Sequence, residues 1–223
     1  MRNLLIVLSG PSGVGKGTIA KELVLRDNFA LSISCTTRNP RVGEENGREY
    51  FFIKKEEFIN KIDNKGFLEY SEHFENYYGT PKDFVLEKLK NQDVLLEIDV
   101  NGGLKVKENY KDAILIMIAP PSVEEVRRRL LKRNTETIEK IEERLSRIDY
   151  ELGKKSEYDY TVINGDLEEC IKEIEDIINK EKLIEEELVK ILFNQKYLMD
   201  TNQKQFEFRF ENRRKDDFIE EYE

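Results

Sequence analysis

The chain has no tryptophan, one histidine, two cysteines and five prolines among its 223 residues. Each scarcity closes a class of function. Cys35 and Cys170 stand far apart without metal-type spacing, and His73 alone cannot anchor a zinc site, so both thiols are expected to be reduced and packed. No stretch of about 18 apolar residues occurs, so no membrane span is expected. The apolar run ahead of the first glycine cluster is only Leu4–Leu8, too short for the core of a secretory signal, and a cytoplasmic location follows as the expectation. An excess of positive charge is missing as well. The net charge of −9 gives no basic face for nucleic acid, so none is expected as a partner.

What is present is a globular composition, 39% hydrophobic and 37% charged, which suits one domain with insertions better than two independent ones. The strongest local signal lies at the start. Leu4-Leu5-Ile6-Val7-Leu8 reads as a buried strand that runs into Ser9-Gly10-Pro11-Ser12-Gly13-Val14-Gly15-Lys16-Gly17-Thr18. Gly10, four residues, Gly15 and Lys16 match most of the phosphate-loop pattern, in which backbone N–H groups curl around an anion and the lysine reaches the outer phosphates. A helical pattern from Thr18 to Arg26, with Ile19, Leu23 and Val24 on one face, supplies the context that the pattern requires. Gly17 holds the place where the pattern expects Ser or Thr, leaving Thr18 one residue late.

Further along, Leu31–Cys35 alternates like a half-buried strand, and residues 36–50 form a polar, arginine-bearing loop of the kind that carries function. Tyr50–Ile53 predicts a strand, Lys55–Ile62 a helix, Phe67–Tyr70 with His73-Phe74 a strand pair, and Tyr77–Pro81 a closing turn. Residues 34–83 therefore read as a small mixed insertion. Lys82–Leu89 predicts a helix that leads to Val94–Asp99, a strand ending in acids. Acids at a strand end beside a phosphate loop are the expected place to organise Mg²⁺, with Asp99 favoured. Ala113–Ala119 reads as a strand of a parallel sheet covered on both faces. Ser122 then N-caps a helix from Val123 to Arg133 with a strongly basic far end. A second helix from about Ile138 adds Arg144 and Arg147, and arginines on two helices facing a common gap suit a lid. Tyr160–Asn164 gives the fifth strand and 167–178 an amphipathic helix, whereas residues 188–223, with Phe206, Phe208, Phe210 and Phe218, carry no pattern that names a role.

Gly-Pro-Ser-Gly-x-Gly-Lys, Ser-x-Ser-x-Thr-Thr-Arg-x-Pro-Arg-x-Gly-Glu, Asn-Gly-x-x-Tyr-x-Phe, Tyr-Tyr-Gly and Ala-Pro-Pro-Ser stand in one order. Through these motifs, roughly residues 3 to 182, the chain resembles the guanylate kinases, which move a phosphoryl group from ATP to GMP. The resemblance implies an α/β fold of the P-loop NTPase type, three layers α/β/α around a mainly parallel five-stranded sheet. Residues 1–33 and 84–187 would form the core, with a helical lid at about 124–150. Residues 34–83 would be the GMP-binding insertion and 188–223 an extension.

By resemblance, Arg38, Arg41, Tyr50 and Tyr78 hold the GMP phosphate, while Ser34, Glu69, Thr80, Glu97 and Asp99 are placed to read guanine. Arginine forks suit phosphate, and a carboxylate accepts from the N1–H and 2-amino group that adenine does not offer. Gly10 to Thr18 and Asn164 would bind ATP. Lys16, Arg38, Arg129, Arg133 and Arg144 would neutralise charge in transfer, with Mg²⁺ at Thr18 and Asp99, partly through water. The expected partners are the two nucleotides, with the chain a monomer or homodimer. The rival readings are another nucleoside monophosphate kinase and a kinase-like protein-binding module. A pure binding module has no need to keep Gly15, Lys16 and the lid arginines.

Overall fold

A computed structural model describes residues 3–26, 29–73, 75–133, 137–184, 186–187 and 190–191, without the side chains of residues 73 and 133. Residues 3–176 form one compact unit. A second comprises residues 1–2 and 177–223, of which residues 177–184 are helical. The Phe206, Phe208, Phe210 and Phe218 pattern lies outside the described residues.

The first unit is built on strand β1 (Leu5–Ser9), whose five residues are all buried. β7 (Val94–Glu97) and β8 (Ile114–Ala119) flank it in parallel, and β2 (Ala30–Leu31) and β9 (Tyr160–Ile163) complete the order β2-β7-β1-β8-β9. Leu5 and Val7 pack with Val94, Leu96, Leu115, Met117 and Val106 on one face. Alternation turns Ile6 and Leu8 to the other face, and they are equally buried, so both sides of the sheet are covered. Helix α1 (Lys16–Arg26) starts straight out of the glycine loop and buries Ile19, Ala20 and Leu23.

Residues of the insertion form a separate mixed sheet, β4-β3-β6-β5, from β3 (Cys35–Thr36), β4 (Phe51–Phe52), β5 (Phe67–His73) and β6 (Asn76–Pro81). Its small core is aromatic. Phe58 of α2 (Lys55–Asp63) is fully buried and stacks on Phe67 and Tyr77 at 4.3 and 5.3 Å between centroids.

Three expectations need correction, the first being that the strand pair read over Phe67–Tyr70 and from His73 is one continuous strand, β5. The single strand over 31–35 is two, since Leu31 pairs with β7 and Cys35 with Phe51 and Gly79 in the other sheet. Alternation hid the break because both halves are extended. Tyr77–Pro81 is the strand β6 rather than a turn, paired antiparallel with β5 from His73 back to Phe67. The segment after Asp99, which the sequence reading did not assign, is helix α4 (Val100–Asn109). Its Gly102-Gly103 pair looks like a break in sequence. In the fold Asp99 caps the helix, its Oδ1 accepting from Gly102 N at 2.9 Å. α4 also binds the insertion: Lys105 Nζ donates to Tyr70 O at 2.9 Å and Asn109 Nδ2 to Leu68 O at 2.8 Å.

Helix α3 (Lys82–Lys88) returns the chain to β7. Helices α5 (Val123–Arg133), α6 (Ile138–Ser146) and α7 (Ile148–Gly153) follow β8, and Ser122 Oγ caps α5 by accepting from Glu125 N at 3.1 Å. A helix beginning at residue 167 buries Cys170, Ile171 and Ile174. Among the described residues no helix is long and apolar enough to cross a membrane.

Candidate active site

Gly10, Asp99, Pro120 and Asn164 each follow a strand of the parallel sheet, so the loops after β1, β7, β8 and β9 gather at one end. The glycines of the first loop are fixed by neighbours. Gly10 has φ +149°, and a Cβ there would stand 2.2 Å from Ile118 O. Gly15, at φ +99°, lies where a Cβ would meet Asn164 Nδ2 at 2.6 Å. That amide donates to Val14 O at 2.7 Å, so Asn164 fastens the loop to the end of β9. Gly13 packs against Leu130 and Val126 of α5. Lys16 lies across the loop, Nζ donating to Gly10 O at 2.7 Å and Pro11 O at 3.1 Å. Thr18 N donates to Gly15 O at 3.0 Å as α1 begins.

The helices after β8 grip the same loop. Arg129 donates from Nη2 to Asn164 O at 2.9 Å and from Nη1 to Val14 O at 3.3 Å. Its Nε is held by Glu125 Oε1 at 2.7 Å, and with Arg128 on the same carboxylate the two arginine hydrogen bonds push the Glu125 pKa down to about 2. Arg144 Nη1 donates to Ser12 Oγ at 2.8 Å. Glu151 of α7 is 9% exposed and accepts from the Ser12 backbone, and burial pushes its carboxyl upward. The side chain of Arg133 is outside those described. A cleft of about 470 Å³ opens beside the loop, with Gly15, Thr18, Arg128, Arg129, Lys132 and Asn164 in its walls. Cationic walls around a glycine loop suit a polyanion.

The insertion gathers a second cluster. Arg38 pairs both prongs with Glu44, Nη1 to Oε2 at 2.9 Å and Nη2 to Oε1 at 3.0 Å. It lies over the rings of Tyr50 and Phe52, at 5.6 and 5.7 Å from the centroids, and hydrogen-bonds Tyr78. Tyr50 and Tyr78 meet edge to face at 6.0 Å, and burial, the largest influence, raises the Tyr50 pKa, keeping its hydroxyl a donor at neutral pH. Arg41 is exposed, its backbone N–H bound to Glu44 Oε2 at 2.7 Å. Ser34 takes part through its backbone, its carbonyl accepting from Phe51 N at 2.9 Å.

Glu69 is 7% exposed, a carboxylate on β5 whose Oε1 accepts from Thr80 Oγ1 of β6 at 2.7 Å. Burial raises its pKa, the Asp99 charge adds to this, and the Thr80 hydrogen bond and Lys105 oppose it. This pair faces the first turn of α4, where a Cβ on Gly102 would be 3.3 Å from Glu69 Oε2. Glu97 and Asp99 leave the end of β7 toward the loop. Both Glu97 oxygens lie 3.3–3.4 Å from where a Cβ of Gly17 would be, so the absence of a side chain at 17 leaves room for the longer acid. Thr18, Glu97 and Asp99 offer only oxygen atoms, the ligand type that Mg²⁺ takes, and one of the Asp99 oxygens is committed to capping α4. Among the described residues no three His, Cys, Asp or Glu side chains form a metal cluster. Mg²⁺ with a nucleotide needs no such cluster, since phosphates and waters fill most of its shell.

Sequence reasoning missed Glu44, Glu125 and Glu151. Glu125 and Glu44 had a usable signal: each lies within four to six residues of the arginine that it holds. Glu151 had none, because its partner Ser12 is distant in the chain.

A family model described as guanylate kinase matches residues 2–181. A guanylate kinase of Clostridium tetani is 50% identical over 182 residues, 81% of this chain and 88% of that one. One from Caldanaerobacter subterraneus is 49% identical over 183 residues, covering 81% and 89%. Among solved structures, a guanylate kinase from Anaplasma phagocytophilum superposes with a TM-score of 0.64 at 35% identity, over 81% of this chain and 86% of that one. With its phosphate loop, its arginine-bearing insertion and a match that spans both, the chain belongs to the guanylate kinase family.

Proposed function

We propose that the two clusters are the donor and acceptor halves of one guanylate kinase site, and that the residues named above carry the transfer from ATP to GMP. Membership of the family makes the chain an ATP:GMP phosphotransferase of purine nucleotide metabolism. In this reading, residues 1–33 with 84–187 are the core, 34–83 the acceptor insertion, about 124–150 the lid and 188–223 an extension, in a cytoplasmic monomer or homodimer. The observation that carries the assignment is the buried Glu69–Thr80 pair facing the end of the sheet that holds the phosphate loop.

The donor triphosphate lies along Gly10–Thr18 with its base toward Asn164 and the cleft. Lys16 trades the Gly10 and Pro11 carbonyls for the outer phosphates, and Arg144 trades Ser12 in the same way. Thr18 and Asp99 would hold Mg²⁺, partly through water, and the ion would supply charge neutralisation to the donor phosphates. On the acceptor side Glu69 accepts from guanine N1–H and the 2-amino group, and Thr80 turns its single hydroxyl hydrogen from Glu69 Oε1 to O6. Ser34, Glu97 and Asp99 line the base, while Arg38, Arg41, Tyr50 and Tyr78 take the phosphate. The attacking oxygen is an ionised GMP phosphate oxygen, so no general base is needed, and positioning with electrostatics performs the catalysis. Arg129 and Arg133, with Arg144, shield the charge in flight.

Replacing Lys16 by alanine tests the donor half. ADP formation from ATP and GMP should fall by at least a hundredfold in kcat while circular dichroism and melting stay those of the parent protein. Unchanged turnover would refute the placement.

A further inference from the structure

We propose that Glu44 is a positioning residue for the acceptor phosphate: its carboxylate holds Arg38 and the Arg41 backbone in the arrangement that receives the phosphate of GMP. This rests on the reading that Arg38 takes that phosphate. The geometry goes further than the pairing of an arginine with an acid. Glu44 Oε1 accepts from Arg38 Nη2, and Oε2 accepts both from Arg38 Nη1 and from Arg41 N, at 2.7 Å. The chain is closed in return by Glu44 N donating to Arg41 O at 3.1 Å. One carboxylate thus fixes two arginine positions three residues apart in a loop that has no regular structure between Thr37 and Glu45.

A guanidinium has five N–H groups in a rigid plane. Asn39 O takes the second Nη1 hydrogen at 2.7 Å, so Glu44 and Asn39 together use both hydrogens of Nη1 and one of Nη2. The edge they leave is Nε–H with the second Nη2–H, a two-pronged edge that matches phosphate oxygens. Tyr78, whose hydroxyl oxygen accepts from the same guanidinium, sits on that edge and keeps its own O–H as a donor for the phosphate. The rings of Tyr50 and Phe52 flank the plane and restrict its rotation. Glu44 therefore acts as a template on the edge away from the substrate rather than as a competitor for it. The pair is only 16% and 18% exposed, so solvent does little to loosen it.

Glutamine at this position keeps the shape but turns an N–H₂ either toward Arg38 Nη2 or toward both Arg38 Nη1 and Arg41 N, so at least one of the three bonds becomes donor against donor. Calorimetric titration of the full chain with GMP and with guanosine, which lacks the phosphate, separates the effects. For Glu44→Gln the GMP Kd should rise on the order of tenfold, with guanosine binding and the KM for ATP unchanged and Glu44→Asp recovering part of the loss. A GMP Kd that stays the same or tightens would overturn the proposal, the latter showing a competing anion. Equal weakening of GMP and guanosine would also overturn it, as a purely structural role. Arg38→Ala is the control for the underlying reading. If that variant binds GMP as the parent does, the phosphate is not at Arg38 and both ideas fall. If Arg38→Ala binds weakly while Glu44→Gln does not, only the template falls.

Discussion

Replacing Glu69 by glutamine should make the enzyme worse at holding GMP and, without ligand, more stable. The side chain is nearly isosteric, and glutamine Oε1 can still accept from Thr80 Oγ1, so packing around Phe67 and Gly79 is kept. What is lost is a charged acceptor, replaced by an N–H₂ that faces the donors of guanine. Hydrogen bonds to charged groups contribute about 1.5–3 kcal/mol, which at about 1.4 kcal/mol per decade raises the KM for GMP by roughly ten- to a hundredfold. ATP does not touch this pair in the proposed site, so its KM should stay within about twofold, the scatter set by context in such measurements.

Stability moves the other way because burial raises the Glu69 pKa. Above the unfolded carboxyl pKa of about 4.3 the folded state holds more protons than the unfolded one, so this group costs stability as pH rises through its folded pKa. Glutamine carries no such cost. The melting temperature of Glu69→Gln should therefore match that of the parent at pH 4 and exceed it at pH 8, the gap opening above the unfolded carboxyl pKa. Coupled-assay kinetics with each nucleotide varied, beside melting curves at the two pH values, decide the matter. Equal rises in both KM values, or a variant less stable at pH 8, would refute the reasoning.

At Gly10 a methyl group meets the backbone oxygen of Ile118 at 2.2 Å, and no flexible side chain can yield. Gly10→Ala should lose roughly 3 kcal/mol or more, seen as a fall of about 6–12 °C in melting temperature; a parental melt would mean that the β1–β8 spacing is softer than described. The thiols of Cys35 and Cys170 are buried, which pushes each up to about 11. At pH 8 a disulfide thiol reagent should modify neither in the native protein and both in denaturant, and rapid stoichiometric labelling of the native chain would contradict their burial.

The donor half was legible because its signals are local. A five-residue apolar run, glycines at fixed offsets and a helix start all lie within 26 residues, β8 is a continuous apolar segment and β7 is apolar up to Glu97. The acceptor half was legible in residue types but not in path. Tyr77–Pro81 was expected to turn because Gly79 and Pro81 are turn residues. Gly79 instead serves close approach, since a Cβ would press on Glu69 O, Phe58 and Phe67, each at 3.0 Å. Helix α4 escaped for a similar reason. Gly103 reads as a helix breaker, yet a side chain there would collide with Tyr158 Oη at 2.4 Å and Ser9 Oγ at 2.7 Å. Tertiary crowding, invisible to any window of sequence, selected glycine in both places. The carboxylate of Glu151 had no local signal, and only the fold brings it to Ser12 of the loop.

That crowding gives α4 a part that no substrate contact would reveal. Its cap residue Asp99 is reached at its carbonyl by Ser9 Oγ, 3.3 Å away at the root of the phosphate loop, and its far turns hold the carbonyls of Leu68 and Tyr70 on either side of Glu69. The helix is in effect a ruler laid between two clients. In the proposed site, the spacing of Glu69 from the donor loop would thus be set before either nucleotide arrives, leaving the adjustment that brings phosphate to phosphate to the arginine-bearing loop and the proposed lid.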